Sequence, residues 1–253
     1  MRNVRIAMLQ MPVMPGQLDL NLQTASRMIS AACEKGCDIA VLPECCDFGW
    51  TDSSAQNSPE GKAAAFLADT ARANGVYLVA GIVEKENDRL YNTAVFFSDK
   101  GERIGSHRKI HLVGDVEDCV YTPGTSIQVF DTVWGCIGLP ICADNASKTL
   151  FIAESMAYMG ARLLLSPCSW AVPPENLGEP YGDVWYPPYL ELTKKYPVTI
   201  VGVSNVGPVL DGPWKGYSCI GNSIAAGNSG KVLAVLPYGE NAEAIQILNC
   251  AID

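Results

Sequence analysis

The stretch Gly138-Leu139-Pro140-Ile141-Cys142-Ala143-Asp144 decides the interpretation of this chain. Residues 133–141 form an apolar run rich in β-branched side chains, which predicts a buried strand. A polar segment follows, and residues 150–159 are predicted as a helix with Ser147 as its N-cap. Cys142 is therefore expected at a strand-to-helix turn, where a helix N-terminus lowers a thiol pKa and backbone N–H groups face the attacked atom. The alternative at this point is a buried structural cysteine.

Composition bounds the class of protein. The 253 residues, with 48% hydrophobic and 18% charged side chains, are enough for a globular protein with a sizeable core. The net charge of -9 and the lack of a basic cluster beyond His107-Arg108-Lys109 argue against nucleic-acid or anionic-membrane partners. We interpret residues 1–253 as one domain, since no repeat, low-complexity tract or linker interrupts them.

The cysteines indicate a compartment. Ten cysteines in a chain of this length do not form the framework of a small disulfide-rich domain. Cys33/Cys37 and Cys45/Cys46 lack the spacing of a zinc site, so no metal is expected. The N-terminal apolar run is too short for a secretory signal, and no run has the length of a membrane span. We therefore expect a reduced, cytoplasmic protein.

Periodicity predicts an α/β fold with mixed sheets and helices outside. Helices are predicted over residues 19–35, from Ser58-Pro59-Glu60 to residue 75, and weakly over 181–195 with a break at Pro187-Pro188. Residues 172–188 are interpreted as a surface loop over the site. Strands are predicted at residues 5–9, 38–42, 76–83, 91–97, 103–109, 127–130, 163–165, 198–203, 223–226, 232–236 and 244–247, besides 133–141.

Three predicted strand ends carry reactive side chains. Glu44 follows Leu42-Pro43, Lys109 ends the run after His107-Arg108, and Cys142 follows Ile141. Active sites of α/β sheets form where such strand ends converge. A carboxylate can take the thiol proton, and an ammonium can stabilise the thiolate and then an oxyanion, so the set is sufficient for acyl transfer. The alternative for the charged residues is an ordinary ion pair.

At these residues the chain resembles the nitrilase, or carbon–nitrogen hydrolase, superfamily. The resemblance runs in order along almost the whole chain, through Leu42-Pro43-Glu44 with Gly49-Trp50, Tyr91-Asn92-Thr93, Arg108-Lys109-Ile110-His111-Leu112, Glu117 with Tyr121-Thr122-Pro123-Gly124, the cysteine stretch, Ser166-Pro167, Trp170, Asn205 and Gly221-Asn222-Ser223.

The resemblance implies roles for five residues. Glu44 is the general base, Lys109 the oxyanion stabiliser and Cys142 the nucleophile. Glu117 assists by positioning, and the backbone N–H of Ala143 completes an oxyanion hole. Ala143 stands where the family usually has an aromatic residue, which leaves more room beside the nucleophile.

The resemblance also implies a four-layer α-β-β-α sandwich that pairs into a homodimer, without a cofactor. The expected substrate is a small linear amide or N-carbamoyl amine. Trp50 and Trp170, with Phe48 and Trp185, are candidate walls of its pocket. Two other functions stay open: a Cys-His hydrolase using His107 or His111, and a sandwich without activity that serves as a binding or assembly subunit.

Overall fold

Two six-stranded β-sheets stack face to face in a computed structural model that describes residues 2–50, 55, 61–178 and 184–252. The strands of the first sheet are β1 (Arg2–Gln10), β2 (Ile39–Val41), β3 (Tyr77–Glu86), β4 (Arg89–Phe97), β5 (Arg103–Arg108) and β15 (Ala244–Ile252). Those of the second are β6 (Val129–Thr132), β7 (Gly135–Gly138), β8 (Leu163–Cys168), β10 (Thr199–Ser204), β13 (Ile224–Gly227) and β14 (Lys231–Val235). The first sheet has the order β15-β1-β2-β3-β4-β5 and the second β14-β13-β10-β8-β7-β6.

Each sheet has a parallel centre and antiparallel edges. In the first sheet β1, β2 and β3 run parallel, while β15 and β4 pair antiparallel with their neighbours. In the second, β7, β8 and β10 run parallel, and β6 and β13 pair antiparallel at either side. Parallel strands need crossover connections, and their carboxyl ends lie along one edge of each sheet.

Helices cover the outer faces, so the fold is the four-layer α-β-β-α sandwich that the sequence predicts. α1 (Leu18–Glu34) and α2 (Lys62–Asn74) cover the first sheet, and α3 (Phe151–Tyr158) and α4 (Tyr186–Lys195) cover the second. The predicted start of the second helix at residues 58–60 lies outside the described residues.

Apolar side chains fill the three spaces between the layers. Val4, Ile6, Ile39 and their neighbours on the inner faces form the core between the two sheets. The alternate residues of β1, such as Ala7 and Leu9, face α1 and α2 instead. Because successive side chains of a strand point to opposite faces, a central strand buried on both sides is apolar throughout, as β1 is from Ile6 to Leu9.

Several predicted boundaries were wrong. The strand predicted over 133–141 is only β7, because Thr132 and Gly135 pair across a turn and Pro140, which lacks an N–H, follows the strand end. Ser147 does not cap α3; Leu150 occupies that position without a side-chain cap.

Pro187-Pro188 does not break a helix. The two prolines lie in the first turn of α4, where the absent N–H groups would have no helical partner. A small third sheet was also missed, with the order β11-β12-β9 (Val206–Pro208, Ser218–Ile220 and Ala171–Val172). Its last strand, β9, ends at Val172, the first residue of the segment interpreted as a surface loop.

Candidate active site

The three predicted catalytic residues come from both sheets. Glu44 follows β2, and Lys109 follows β5 of the same sheet. Cys142 comes four residues after the end of β7 in the other sheet, as the first residue of a 3₁₀-helix, Cys142–Asn145. Gly81 of β3 lets the Glu44 segment approach closely, because a Cβ at this glycine would lie 2.5 Å from Glu44 Cα.

Lys109 lies between two carboxylates. Its ammonium donates to Glu44 Oε1 at 2.7 Å and to Glu117 Oε2 at 2.7 Å, and all three side chains are fully buried. Desolvation alone lowers the pKa of Lys109, but the negative charges of Glu117 and Glu44 outweigh it and raise this pKa well above its usual value. Lys109 therefore stays charged in the site.

Glu44 keeps one carboxylate oxygen free for chemistry. Its Oε1 accepts hydrogen bonds from Lys109 and from Asn92 Nδ2, the latter at 2.6 Å, whereas Oε2 has no partner among the described residues. Burial raises the pKa of Glu44, Lys109 opposes this shift, and the net pKa lies above the ordinary carboxyl value. A carboxylate of higher pKa is a stronger base.

Glu117 has its oxygens fully engaged. Oε1 accepts from Trp50 Nε1 at 2.8 Å and Asn92 Nδ2 at 3.0 Å, while Oε2 accepts from Lys109 Nζ and from the backbone N–H of Val113, each at 2.7 Å. Two donors at each oxygen use the full accepting capacity of a carboxylate. This side chain is fixed in place and suited to positioning rather than to proton transfer.

Cys142 has a strained backbone and a protonated thiol. Its φ is +39°, in the left-handed region that non-glycine residues rarely adopt. A hydrogen bond with the Cys168 thiol, burial and the charge of Glu44 raise its pKa well above the usual value, and Lys109 opposes them. The lowered thiol pKa expected from the sequence is therefore wrong, and the resting thiol needs a base before it can attack.

Asp144 joins the cysteine turn to the loop after Lys109. Its Oδ2 accepts from the backbone N–H of Ile141 at 3.0 Å and lies 3.0 Å from His107 Nε2. Its Oδ1 accepts from the backbone N–H groups of Ile110 and His111, at 3.2 Å and 2.9 Å. One buried carboxylate thus fixes the turn of Cys142 relative to the segment that carries Lys109.

A cavity of about 360 Å³ opens beside Cys142. Trp50, Trp170 and Ala143, which the sequence proposes as binding residues, line it, as does Trp185. Phe48 does not; it packs in the core between the first sheet and its helices. The other described residues around the cavity are His111, Val113, Gly114, Asn145, Ala146, Ser147, Ser169, Ala171, Val184, Tyr189 and Trp214.

The sequence that forms this fold and site matches a known protein family. A carbon-nitrogen hydrolase family model matches residues 5–252. The chain belongs to the carbon-nitrogen hydrolase family, within the nitrilase superfamily. The resemblance drawn from the sequence motifs is confirmed.

Curated members of the family include nitrilases and amidases. A nitrilase from Pyrococcus abyssi is 34% identical over 243 residues, which cover 92% of this chain and 84% of that protein. An omega-amidase from Xenopus laevis is 34% identical over 180 residues, or 66% of this chain and 64% of its own length. Among solved structures, Nit3 of Saccharomyces cerevisiae and a carbon-nitrogen hydrolase of Helicobacter pylori have TM-scores of 0.82 and 0.84, at 24% and 23% identity. Each alignment covers 98% of this chain. The alignments cover 90% of the Nit3 chain and 89% of the Helicobacter pylori chain.

Two residues of this carbon-nitrogen hydrolase site have no role in the sequence-based interpretation. Asn92 lies within Tyr91-Asn92-Thr93, one of the motifs that resemble the family. Its hydrogen bonds to both glutamates are visible only in the structure. Asp144 stands two residues after Cys142. The available signals were a buried asparagine in the mostly apolar run of β4 and the Cys-x-Asp spacing.

Within the described ranges, no group of three or more His, Cys, Asp and Glu side chains is arranged to hold a metal ion. The same part of the chain contains no helix long and apolar enough to cross a membrane.

Proposed function

We propose that this carbon-nitrogen hydrolase family member cleaves the C–N bond of small linear amides or N-carbamoyl amines through a thioester on Cys142. The observation that carries the proposal is the contrast between the two glutamates. Glu44 has a free oxygen and a raised pKa, whereas Glu117 is saturated with donors. That contrast supports Glu44 as the base and Glu117 as the positioning residue, with Lys109 between them.

The proposed reaction begins with transfer of the Cys142 thiol proton to Glu44. The thiolate forms a C–S bond to the amide carbonyl carbon and gives a tetrahedral oxyanion. An ammonium has three N–H donors, and Lys109 uses two of them on glutamates, which leaves one for the oxyanion. The backbone N–H of Ala143 is proposed as a second donor.

Collapse of this adduct breaks the C–N bond. Glu44 gives its proton to the leaving nitrogen, so ammonia or an amine departs and a thioester stays on Cys142. Water then adds to the thioester and gives a proton to Glu44. Cleavage of the C–S bond releases the acid, and Glu44 returns the proton to the thiolate. Glu44 and Cys142 then have the protonation states from which the reaction began.

Intact-protein mass spectrometry during turnover of a panel of amides and carbamoyl amines tests the proposal. We expect ammonia release and an acyl adduct that is lost in Cys142→Ala. The matched control is Cys119→Ala, because Cys119 is an exposed thiol outside the cavity. Ligand binding without ammonia release or adduct would favour the inactive binding subunit. Unimpaired turnover by Cys142→Ala would exclude the proposed nucleophile.

We also propose that the protein is a cytoplasmic homodimer. All ten cysteines are free thiols, which supports a reducing compartment.

On the outer face of α3, Phe151 and Tyr158 are 59% and 87% exposed, and their seven-residue spacing places them on one side of the helix. Two exposed apolar side chains on one face of a helix support an interface between protomers at this face. Light scattering on the wild type and Tyr158→Glu measures the association state.

A further inference from the structure

The cavity beside Cys142 has an aromatic wall. Trp170, only 2% exposed, stacks on Trp185 with ring centroids 4.9 Å apart and an angle of 10° between their planes. Tyr189 meets Trp170 edge-on at 6.2 Å. Aromatic side chains held by their neighbours offer a large apolar contact area at little cost in conformational entropy. A flat apolar group would find its contacts already arranged here.

A second aromatic pair borders the same cavity. Trp50 and Trp214 lie edge-to-face at 5.0 Å and 76°. The Trp50 indole N–H donates to Glu117, which fixes the ring beside the catalytic cluster. Both aromatic pairs are therefore held in place by contacts within the protein.

The described lining of the cavity contains no lysine, arginine, aspartate or glutamate. Lys109 lies in the cluster behind Cys142 and already donates to two carboxylates. Residues 51–60 and 179–183, most of which fall outside the described ranges, include no lysine or arginine either. The buried cluster of Glu44, Glu117 and Lys109 carries one net negative charge when both carboxyls are ionised. A substrate carboxylate would lose its hydration, meet no lysine or arginine in the described lining and be repelled by the net negative charge of this cluster.

From this cavity we infer that the preferred substrate is a neutral primary amide with a flat apolar acyl group, of the arylacetamide class. The inference rests on the proposed amide hydrolysis and specifies its substrate class. Ala143 supports it, because a methyl side chain next to the nucleophile leaves room for a ring near the reacting carbonyl. The apolar acyl group contacts the tryptophans, while the amide reaches Cys142.

A set of amides of matched size tests charge preference. 4-Methylphenylacetamide is neutral, 4-carboxyphenylacetamide is anionic and 4-(aminomethyl)phenylacetamide is cationic; acetamide serves as the small reference. Ammonia release gives kcat/KM for each. We expect the neutral aryl amide to exceed the anionic one by about 100-fold or more, since an unpaired charge would be buried, and to exceed the cationic one and acetamide as well.

Variants test the aromatic wall. Trp185→Ala should lower the ratio of kcat/KM for the neutral aryl amide to that for acetamide by about tenfold, and Trp185→Phe should restore most of it. Trp134→Ala is the matched control, because Trp134 packs on Tyr77 away from the cavity, and the ratio should not change.

The outcomes separate the two proposals. Preference for the anionic or cationic amide, or a ratio unaffected by Trp185→Ala, would overturn the substrate class and leave amide hydrolysis standing. Hydrolysis of none of these amides, and of none of the amides and carbamoyl amines in the mass-spectrometry panel, with no adduct on Cys142, would overturn the proposed function and the substrate class with it.

Discussion

Replacement of Lys109 by methionine should damage stability and activity by separable amounts. The ammonium is the counter-ion of two fully buried carboxylates, each 2.7 Å away. Removing one partner of a buried ion pair costs about 3–5 kcal/mol, because the remaining charge is left uncompensated. In Lys109→Met two carboxylates lose the same partner, so we expect a loss of at least about 3 kcal/mol in the free energy of unfolding at neutral pH.

The rate should fall for two reasons. Loss of one oxyanion donor lowers a rate by about 10²–10³. Without Lys109, the pKa of Glu44 rises further, so less of the base is ionised at neutral pH. We therefore expect Lys109→Met to lower kcat/KM by about 10³ or more, measured by ammonia release, with urea unfolding on the same preparation.

A second substitution separates the two effects. Glu117→Gln in the Lys109→Met background removes one uncompensated carboxylate, so it should recover part of the stability but none of the rate. The destabilisation of Lys109→Met should also be smaller at pH 5 than at pH 8. Without Lys109 the pKa of Glu44 rises further, so the folded variant binds a proton at Glu44, and this stabilisation is lost as pH rises through that pKa.

The control is Lys195→Met. Lys195 forms an exposed ion pair with Glu154, and its loss should leave the unfolding midpoint nearly unchanged. Wild-type stability of Lys109→Met would refute the argument from buried charge. Recovery of activity on adding Glu117→Gln would show that the reaction does not need the lysine.

Three further variants test other parts of the site and core. Cys142→Ala should abolish turnover and keep the melting temperature, because alanine replaces a small side chain; residual activity would exclude this nucleophile. His107→Ala removes one of the contacts to Asp144 and should lower kcat/KM by only about tenfold; a loss as large as that of Lys109→Met would instead support a Cys-His hydrolase. Burial raises the pKa of Asp47 to about 7 from 3.8, so the folded state keeps a proton that the unfolded state releases, and stability falls by up to about 4 kcal/mol as pH rises between these values. Asp47→Asn should remove that part of the pH dependence of urea unfolding, and an unchanged dependence would contradict the assignment.

The local pattern of apolar and polar residues was sufficient to predict most strands and the turn at Cys142. An apolar run such as residues 38–42 matches β2 closely, because a strand between two layers needs apolar side chains on both faces. Helix ends were less accurate. Ser147 has the right chemistry for a cap, but the 3₁₀-helix Cys142–Asn145 occupies the first turn after the strand, so α3 begins later.

Proline positions show the same limit. Pro187-Pro188 can break a helix or open one, and the sequence alone does not distinguish these, since each proline only lacks an N–H and has a fixed φ. The structure places both in the first turn of α4. The strands of the third sheet were missed because each has only two or three residues, too few for a periodicity to show.

The site residues were predicted as a set, but the contrast between the two glutamates came from three-dimensional contacts. Sequence order cannot count the hydrogen bonds at a carboxylate. Asn92 illustrates this, because one amide nitrogen donates to Glu44 and to Glu117 from a strand whose side chains are otherwise mostly apolar. Such a bridge depends on the pairing of β4 with β3 and β5, which brings distant residues together.

In the proposed mechanism, the contrast between the glutamates gives each of them a separate task. Proton transfer from Cys142 to Glu44 would leave the total charge of the cluster unchanged, but it would remove one negative charge next to Lys109. Glu117, which also accepts hydrogen bonds from Trp50 and the backbone N–H of Val113, would keep Lys109 protonated and oriented while Glu44 is neutral. With one carboxylate alone, the lysine would lose its buried counter-ion at the moment when the thiolate and then the oxyanion need its charge. A neutral substrate adds no further charge to this balance, which is the electrostatic reason for the preference inferred from the cavity.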